Sequence, residues 1–83
     1  MVEMSKILEQ VADVVRESGR VTGEIPESSD LYAEVGVESV NSIAILLALE
    51  EKFAITIDDT EFVKALTLTE LVKLVAAQTG ETI

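Results

Sequence analysis

Apolar residues recur every three or four positions near the start of the chain, with polar and charged residues between them. This spacing predicts an amphipathic helix over residues 5–18 that stops at Gly19, because side chains three and four residues apart share one face of a helix. We expect its apolar face to form ordinary hydrophobic core. The apolar positions are Met4, Ile7, Leu8, Val11, Val14 and Val15.

The helical periodicity disappears over residues 19–37, where turn-forming residues are frequent. A connection of this length is unusual in a compact domain unless side chains anchor it, so we expect it to be ordered by apolar contacts. Either Ser29 or Asp30 is expected to cap a short turn over residues 31–34. The candidate anchors are Ile25, Leu31, Tyr32 and Val35.

A second helix is predicted over residues 40–53, and it is apolar almost all the way round. One side of its helical wheel holds Val40, Ile43, Leu46, Leu47 and Phe53, and the remaining surface continues with Ala44, Ile45, Ala48 and Leu49. Such a helix either lies at the centre of a fold or has part of its surface covered by a partner, and we expect both here. Glu50, Glu51 and Lys52 are most simply a solvated face.

The last third of the chain carries a short extended segment and two helix starts. Residues 54–57 alternate as a strand would, so Ile55 and Ile57 are expected to be buried, but one short segment does not predict a sheet. Asp58 or Asp59 is expected to cap a short helix, and Asp58 and Glu61 have capping-box spacing. The sequence of residues 67–70, Thr-Leu-Thr-Glu, is a clearer capping box and opens a final helix that stops at Gly80.

Together these elements predict an all-α fold: a four-helix bundle of three main helices and one short helix, with a long first loop, in a single domain over residues 1–83. The final helix places Leu68, Leu71, Val72 and Val75 on one face. The predicted core consists of Ile7, Val11, Leu46, Leu47, Phe53, Ile55, Phe62, Leu71 and Val75.

Composition removes several functions from consideration. The chain has no Cys and no His, and therefore has no disulfide, no thiol nucleophile and no imidazole base or metal ligand of its own. Its net charge of −10 disfavours nucleic acid and anionic membranes as partners and favours a basic protein. No apolar run is long enough to span a membrane and no signal segment is visible, which predicts a cytoplasmic protein. Asp58 and Asp59 lack the pattern of an EF-hand loop, so no metal site is predicted.

The stretch from Gly36 to Ser42 is the candidate functional element. Gly36 is suited to a left-handed turn, and Ser39 is a residue type favoured at the N-cap of a helix. Ser39 should therefore lie at a helix start with its hydroxyl near solvent, where unpaired N–H groups and the helix dipole favour an attached phosphate. The alternative is that Ser39 is only a cap, which is the commoner role of a serine in this position.

The chain resembles the acyl carrier protein family, which includes peptidyl and aminoacyl carrier domains, and the resemblance covers essentially the whole chain. The resemblance rests on Gly36-Val37-Glu38-Ser39-Val40, on Ala48-Leu49-Glu50-Glu51-Lys52-Phe53, on Ile55-Thr56-Ile57 and on Thr67-Leu68-Thr69-Glu70-Leu71. It implies a non-catalytic, monomeric carrier whose Ser39 receives a phosphopantetheine group from a separate transferase. The thiol of that group would hold an acyl or aminoacyl cargo as a thioester and present it to partner enzymes.

Two departures from the family pattern concern Ser39 and its surroundings. The family motif usually reads Asp-Ser-Leu, whereas this chain has Glu38-Ser39-Val40, which moves the carboxylate outward by one methylene group. Fatty-acid carriers typically place acids two and five residues after the serine, where this chain has Asn41 and Ala44. Residues 21–51 still hold seven acids and no base, so steering toward basic partners is expected to persist.

Within this resemblance, the departures from the family pattern indicate a specialised carrier rather than the housekeeping carrier of fatty-acid synthesis. Glu38 is then the carboxylate beside the attachment site. The expected partners are the transferase, a loading ligase and acyl-transferring enzymes with basic docking patches. The predicted partner-binding residues are Val40, Asn41, Ala44, Leu47, Glu50 and Glu51.

Three alternatives stay open at this point. Within the carrier hypothesis, the cargo could be fatty acyl, polyketide or aminoacyl: the chain could be charged by a separate amino-acid-activating ligase, or it could be a polyketide or lipid-specific carrier. A second hypothesis keeps the helical fold but makes the chain a cofactor-free acidic interaction module, which Glu38 and Val40 favour. A third, a small enzyme, would have to rest on carboxylates and serines, and no pair of them is spaced for a shared cleft.

Overall fold

The computed structural model describes residues 4–79, and within this range it contains four α-helices and no strand. The helices are α1 (Met4–Gly19), α2 (Ser42–Phe53), α3 (Asp59–Lys64) and α4 (Leu68–Thr79). The predicted all-α fold of three main helices and one short helix is thus confirmed. The predicted helix stop at Gly80 lies outside the described residues.

The core lies where α1 packs against both α2 and α4. Val11 and Val15 of α1, Ile45 and Leu49 of α2, and Leu71 and Val75 of α4 are all fully buried. Gly19, at the end of α1, allows a close approach: a Cβ atom there would lie 3.2 Å from Ile45 Cδ1 and 3.3 Å from Val37 Cγ2. The periodicity of α1 and α4 therefore identified the faces that meet in the core.

The long first loop is ordered by buried side chains and by hydrogen bonds, as predicted. Ile25 and Leu31 are buried, and Tyr32 and Val35 are half-buried. Asp30, rather than Ser29, caps a π-helical turn, Leu31–Val35, by accepting from the N–H groups of Tyr32 and Ala33, both at 2.8 Å. The Glu34 carboxylate accepts in return from the Asp30 N–H at 2.7 Å.

Hydrogen bonds join this loop to the segment before α4 and to the first turn of α4. The Leu31 N–H donates to the Leu66 carbonyl at 2.8 Å, and the Thr69 N–H and hydroxyl both donate to the Glu27 carbonyl. These bonds hold the first loop against the end of the chain that carries α3 and α4. The loop is therefore a fixed part of the fold.

The two predicted caps in the last third of the chain are confirmed. The Asp58 carboxylate accepts from the Glu61 N–H at 3.1 Å and opens α3. At the start of α4, the Thr67 hydroxyl accepts from the Glu70 N–H at 3.2 Å, and the Glu70 carboxylate accepts from the Leu66 N–H at 3.1 Å. In residues 54–57, Ile57 is buried as predicted, whereas Ile55 is only half-buried and Ala54 is left-handed with a φ of 54°, so the extended segment is shorter than predicted.

The prediction for the second helix is wrong in two details. Its first turn, Ser39–Asn41, is a 3-10 helix, and α2 proper begins at Ser42. Leu47, which was predicted to be core, is 58% exposed, while Ile45 and Leu49 are fully buried. The reason is that a helix apolar on nearly every side contains no pattern that distinguishes its buried face, so its packing partners decide which face is buried.

Candidate functional site

Ser39 is exposed and is the first residue of the 3-10 turn. The residue in the N-cap position is Glu38, so the prediction that Ser39 itself caps the helix is wrong by one position. No hydrogen bond among the described side chains involves the Ser39 hydroxyl. The carbonyl of Ser39, by contrast, accepts from the Ser42 hydroxyl at 2.7 Å. The Ser39 hydroxyl is thus free to react, on a backbone that is fixed by the following turn.

The backbone around Ser39 also leaves two N–H groups without an acceptor inside the helical segment. The hydrogen bonds of the turn begin with the Asn41 N–H, which donates to the Glu38 carbonyl at 2.9 Å. The N–H groups of Ser39 and Val40 precede this first donor. They lie at the start of a helical segment that continues into α2, which is an environment that favours a negatively charged group.

The segment before Ser39 is held by a left-handed glycine and a buried valine. Gly36 has a φ of 100° and a ψ of 17°, and its N–H ends the π-helical turn by donating to the Leu31 carbonyl. The Val37 N–H donates to the same carbonyl at 2.9 Å, and the Val37 side chain is buried. Glu38 and Ser39 therefore project from an anchored backbone rather than from a loose loop.

A shallow groove of about 160 Å³ lies beside Ser39. Ser39 and Ser42 form one side of this groove, Tyr32 of the π-helical turn lines another, and Phe62 and Val63 of α3 complete it. Burial raises the pKa of the Tyr32 phenol above its ordinary value, and the neighbouring Asp30 carboxylate raises this pKa further. We refer to this feature as the Ser39 groove.

An apolar surface extends from Ser39 along α2. Val40 is 80% exposed, Ile43 is 60% exposed, and Leu47 follows on the same face one helical turn later. Val63 of α3 is exposed as well. We call Val40, Ile43 and Leu47 the apolar surface. Apolar residues grouped in this way are typical of a surface that binds a partner.

The other residues that the sequence nominated for partner binding differ in their surroundings. Ala44 and Glu51 are exposed, and Asn41 is half-buried at the start of α2. Glu50 is not simply a solvated residue, because it is half-buried and its carboxylate accepts from the Ile57 N–H at 2.9 Å. Helical periodicity did not reveal this bond, since it joins the end of α2 to a residue of the loop that follows.

The fold also brings a base beside the acidic stretch of residues 21–51. Arg20, Glu38 and Asn41 line one depression together with Gly19, Gly36 and Val40. Arg20 has a φ of 59°, a left-handed backbone conformation that is uncommon for a residue other than glycine. Arg20 belongs to no motif in the sequence, and its position just after the predicted helix stop was the only signal for it.

The fold and the site together give a small helical protein with an exposed serine at a helix start, an arrangement that suits a carrier or a docking protein. The chain has neither thiol nor imidazole, and the exposed Ser39 hydroxyl, with no hydrogen bond among the described side chains, lies beside an apolar surface. In the part of the chain that the structure describes, no helix is long and apolar enough to cross a membrane.

Comparisons with known proteins identify the kind of carrier. Residues 5–75 match the family model described as the phosphopantetheine attachment site. The acyl carrier protein of Prochlorococcus marinus is 32% identical over 76 residues, which cover 90% of this chain and 95% of the relative. The acyl carrier protein of Campylobacter curvus is 31% identical over 70 residues, which cover 83% of this chain and 91% of that relative.

A plant relative is more distant and longer. Acyl carrier protein 4, chloroplastic, of Arabidopsis thaliana is 25% identical over 72 residues, which cover 86% of this chain but 53% of the plant protein. The chain thus spans about half the length of this relative and nearly all of the two bacterial ones. The chain belongs to the acyl carrier protein family. As in that family, it is a carrier with a phosphopantetheine prosthetic group rather than a catalyst.

Proposed function

We propose that Ser39 is the residue that carries the phosphopantetheine group, and that the chain is a substrate of a phosphopantetheinyl transferase. The observation that carries this proposal is the Ser39 hydroxyl, which is exposed and unengaged at the start of the helical segment that leads into α2. The matched family model is named for the attachment site and spans Ser39, which supports the same assignment.

The residues around Ser39 fit a phosphodiester. The N–H groups of Ser39 and Val40 have no acceptor in the helical segment and are therefore available to phosphate oxygens. The Glu38 carboxylate is exposed and adjacent in sequence, where it can contact the transferase without being covered by this chain. The left-handed turn at Gly36 directs the backbone into the helix, so that the serine projects outward.

The group supplies a thiol on which an acyl or aminoacyl cargo is held as a thioester, chemistry that a chain without cysteine does not have by itself. The contribution of this chain is to anchor and orient the attached group. By tethering the cargo, it raises the local concentration of the cargo at each partner enzyme. The rigid backbone around Ser39 serves this task, since it fixes where the tether begins.

We further propose that this is a specialised carrier, with docking contacts near Ser39 that are mainly apolar. The apolar surface begins directly after Ser39, and Asn41 and Ala44 supply no charge beside it. Acids such as Glu38 and Glu51 lie at its two ends. A partner that fits this arrangement has an apolar centre and a basic rim. The transferase, a loading ligase and acyl-transferring enzymes are the partners that the proposal requires.

A cytoplasmic location remains a proposal as well. The two bacterial relatives, at 31–32% identity, support it, while the names of two other relatives place them in the chloroplast and the mitochondrion. Fractionation of cells from the native host, with detection of the modified chain, tests this location.

The attachment site is tested by incubating the chain with coenzyme A, magnesium and a broad-range transferase and measuring the intact mass. The wild-type chain is expected to gain one phosphopantetheine group, and the Ser39→Ala variant none. Ser42→Ala is the matched control, because Ser42 lines the same groove but its hydroxyl is engaged with the Ser39 carbonyl. Modification of Ser39→Ala, or loss of modification only in Ser42→Ala, contradicts the assignment.

The cargo is tested separately. The mass of the protein purified from its native host gives the mass of the attached group and its cargo together. An amino-acid mass supports charging by a separate amino-acid-activating ligase, whereas a fatty-acyl mass contradicts the specialised role proposed here.

A further inference from the structure

We propose that Glu50 is a positioning residue that fixes the segment leading into α3 to the end of α2, and not a docking residue for partner enzymes. Glu50 and Glu51 are neighbours in sequence and carry the same charge, yet their surroundings differ. The Glu50 side chain is half-buried and hydrogen-bonded, whereas Glu51 is exposed and its carboxylate has no hydrogen bond among the described side chains. The structure therefore assigns them different roles.

Glu50 holds the loop between α2 and α3 by three hydrogen bonds. Its backbone carbonyl accepts from the N–H groups of Ala54 and Ile55, the latter at 3.0 Å. Its carboxylate accepts from the Ile57 N–H at 2.9 Å. The backbone bonds end α2 and can be made by any residue at this position, but only an acceptor side chain of suitable length reaches Ile57.

The bond to Ile57 anchors the chain directly before α3 begins. Ile57 is buried and directly precedes Asp58, the N-cap of α3. Because α3 has only six residues, it is too short to be stable by itself, and its position depends on the buried Phe62 and on the anchors near its ends. At its other end, the Leu66 carbonyl accepts from the Leu31 N–H at 2.8 Å.

The position of α3 in turn shapes the Ser39 groove. Phe62 of α3 is buried in the core, and Val63 lines the groove and is exposed. If the Glu50 bond is lost, the residues that lead into α3 lose an anchor, and we expect the exposed Val63 side of the groove to shift relative to Ser39, while the buried Phe62 still holds α3 in the core. The effect of Glu50 on reactions at Ser39 is therefore indirect, and this consequence rests on the proposed function.

The first experiment measures amide hydrogen exchange by NMR in the unmodified full chain. The Ile57 N–H is expected to exchange at least about tenfold faster in Glu50→Ala, as for the loss of a hydrogen bond to a charged group. In Glu50→Gln, whose amide oxygen still accepts, the increase is expected to be smaller. Glu51→Ala is the matched control and is expected to leave the Ile57 rate unchanged.

The exchange result stands independently of Ser39. Equal Ile57 rates in the wild type and Glu50→Ala overturn the proposal, as do equal increases in Glu50→Ala and Glu51→Ala. Thermal unfolding of each variant shows whether Glu50→Ala is still folded. If it is not, Glu50→Gln and Glu51→Gln carry the comparison, with faster exchange of Ile57 expected in Glu50→Gln alone.

The second experiment separates positioning from docking through the kinetics of the transferase. A positioning role predicts that Glu50→Ala lowers kcat severalfold and that Glu50→Gln restores it. A docking role predicts that both variants raise KM equally, because both remove the charge, and this result overturns the proposal. Glu51→Ala and Glu51→Gln are expected to raise KM to the same extent. If the wild type is not modified at all, the proposed function fails, while the exchange experiment still decides the role of Glu50.

Discussion

Helices α2 and α4 each have 12 residues and are both rich in apolar side chains, but they use them differently. In α4, the apolar residues with helical spacing are buried, and they include Leu71 and Val75. In α2, Ile45, Leu46 and Leu49 are buried, whereas Ile43 and Leu47 are exposed to 60% and 58%. The two helices are similarly rich in apolar residues, but α4 buries more of them in the core than α2 does.

This difference separates stability from recognition. An apolar side chain that is removed from water stabilises the fold, while one that stays exposed contributes little stability and favours association. In α4 the apolar residues are committed to the fold. In α2 a second set, continuous with Val40 beside Ser39, remains available to a partner enzyme.

The largest effect is expected from truncating one leucine in each helix. Leu71 is 1% exposed, so Leu71→Ala is expected to lower the free energy of unfolding by about 2 to 5 kcal/mol through lost burial and a cavity. Leu47→Ala is expected to change it by no more than about 0.5 kcal/mol, as for other exposed positions. Denaturant unfolding monitored by circular dichroism measures both values. Similar losses in the two variants would remove the distinction between α2 and α4.

The second largest effect is expected on binding, where the exposed Leu47 of α2 should matter and an exposed residue of α4 should not. Leu47→Ala is expected to raise the KM of the transferase up to about tenfold, corresponding to about 1.4 kcal/mol of lost contact. Gln78→Ala, an exposed and uncharged position on α4, is the control and should leave KM unchanged. A normal KM in Leu47→Ala would show that the apolar surface does not contact this partner.

The smallest effect concerns the pH dependence of stability and involves Tyr32. Burial, and then the Asp30 carboxylate, raise the pKa of Tyr32 in the folded chain above its ordinary value of 10.0. The folded state therefore keeps the phenol proton at a pH where the unfolded state loses it. The stabilisation from the neutral phenol is complete below pH 10 and decreases as the pH rises through the folded-state pKa.

This prediction is measurable because Tyr32 is the only tyrosine in the chain. Its ultraviolet titration gives the folded-state pKa directly, and denaturant unfolding between pH 9 and pH 11 gives the dependence of stability. The Tyr32→Phe variant should lose stability less steeply in this range, and the difference between the two chains gives the contribution of the phenol. A tyrosine pKa at or below 10 would contradict the burial of Tyr32 beside the Asp30 carboxylate.

The sequence was most informative where short-range chemistry is decisive. Capping requires an acceptor side chain two or three residues before a free N–H, so the roles of Asp58 and Thr67 could be predicted from residue type and spacing. The left-handed conformation of Gly36 follows from the same local reasoning. At two positions the sequence left a choice of caps, and the structure selected Asp30 over Ser29 and Asp58 over Asp59.

Sequence reasoning failed for Leu47, for the N-cap assigned to Ser39 and for the surroundings of Glu50. The first turn is a 3-10 helix that already includes Ser39, so the N-cap position falls one residue earlier, on Glu38. The partner of the Glu50 carboxylate lies beyond the end of its helix, seven residues away, so helical periodicity carries no information about it.

The sequence by itself determined that this protein is all-helical and highly acidic, lacks any thiol or imidazole, and places Ser39 at a helix start. These properties follow from composition and from spacings of two to four residues, which act within one element. Only the tertiary structure decided which side of α2 is buried and which glutamate of the pair at its end is bound. Both depend on the neighbours that α1, α4 and the loop before α3 supply, and the packing of separate elements fixes those neighbours.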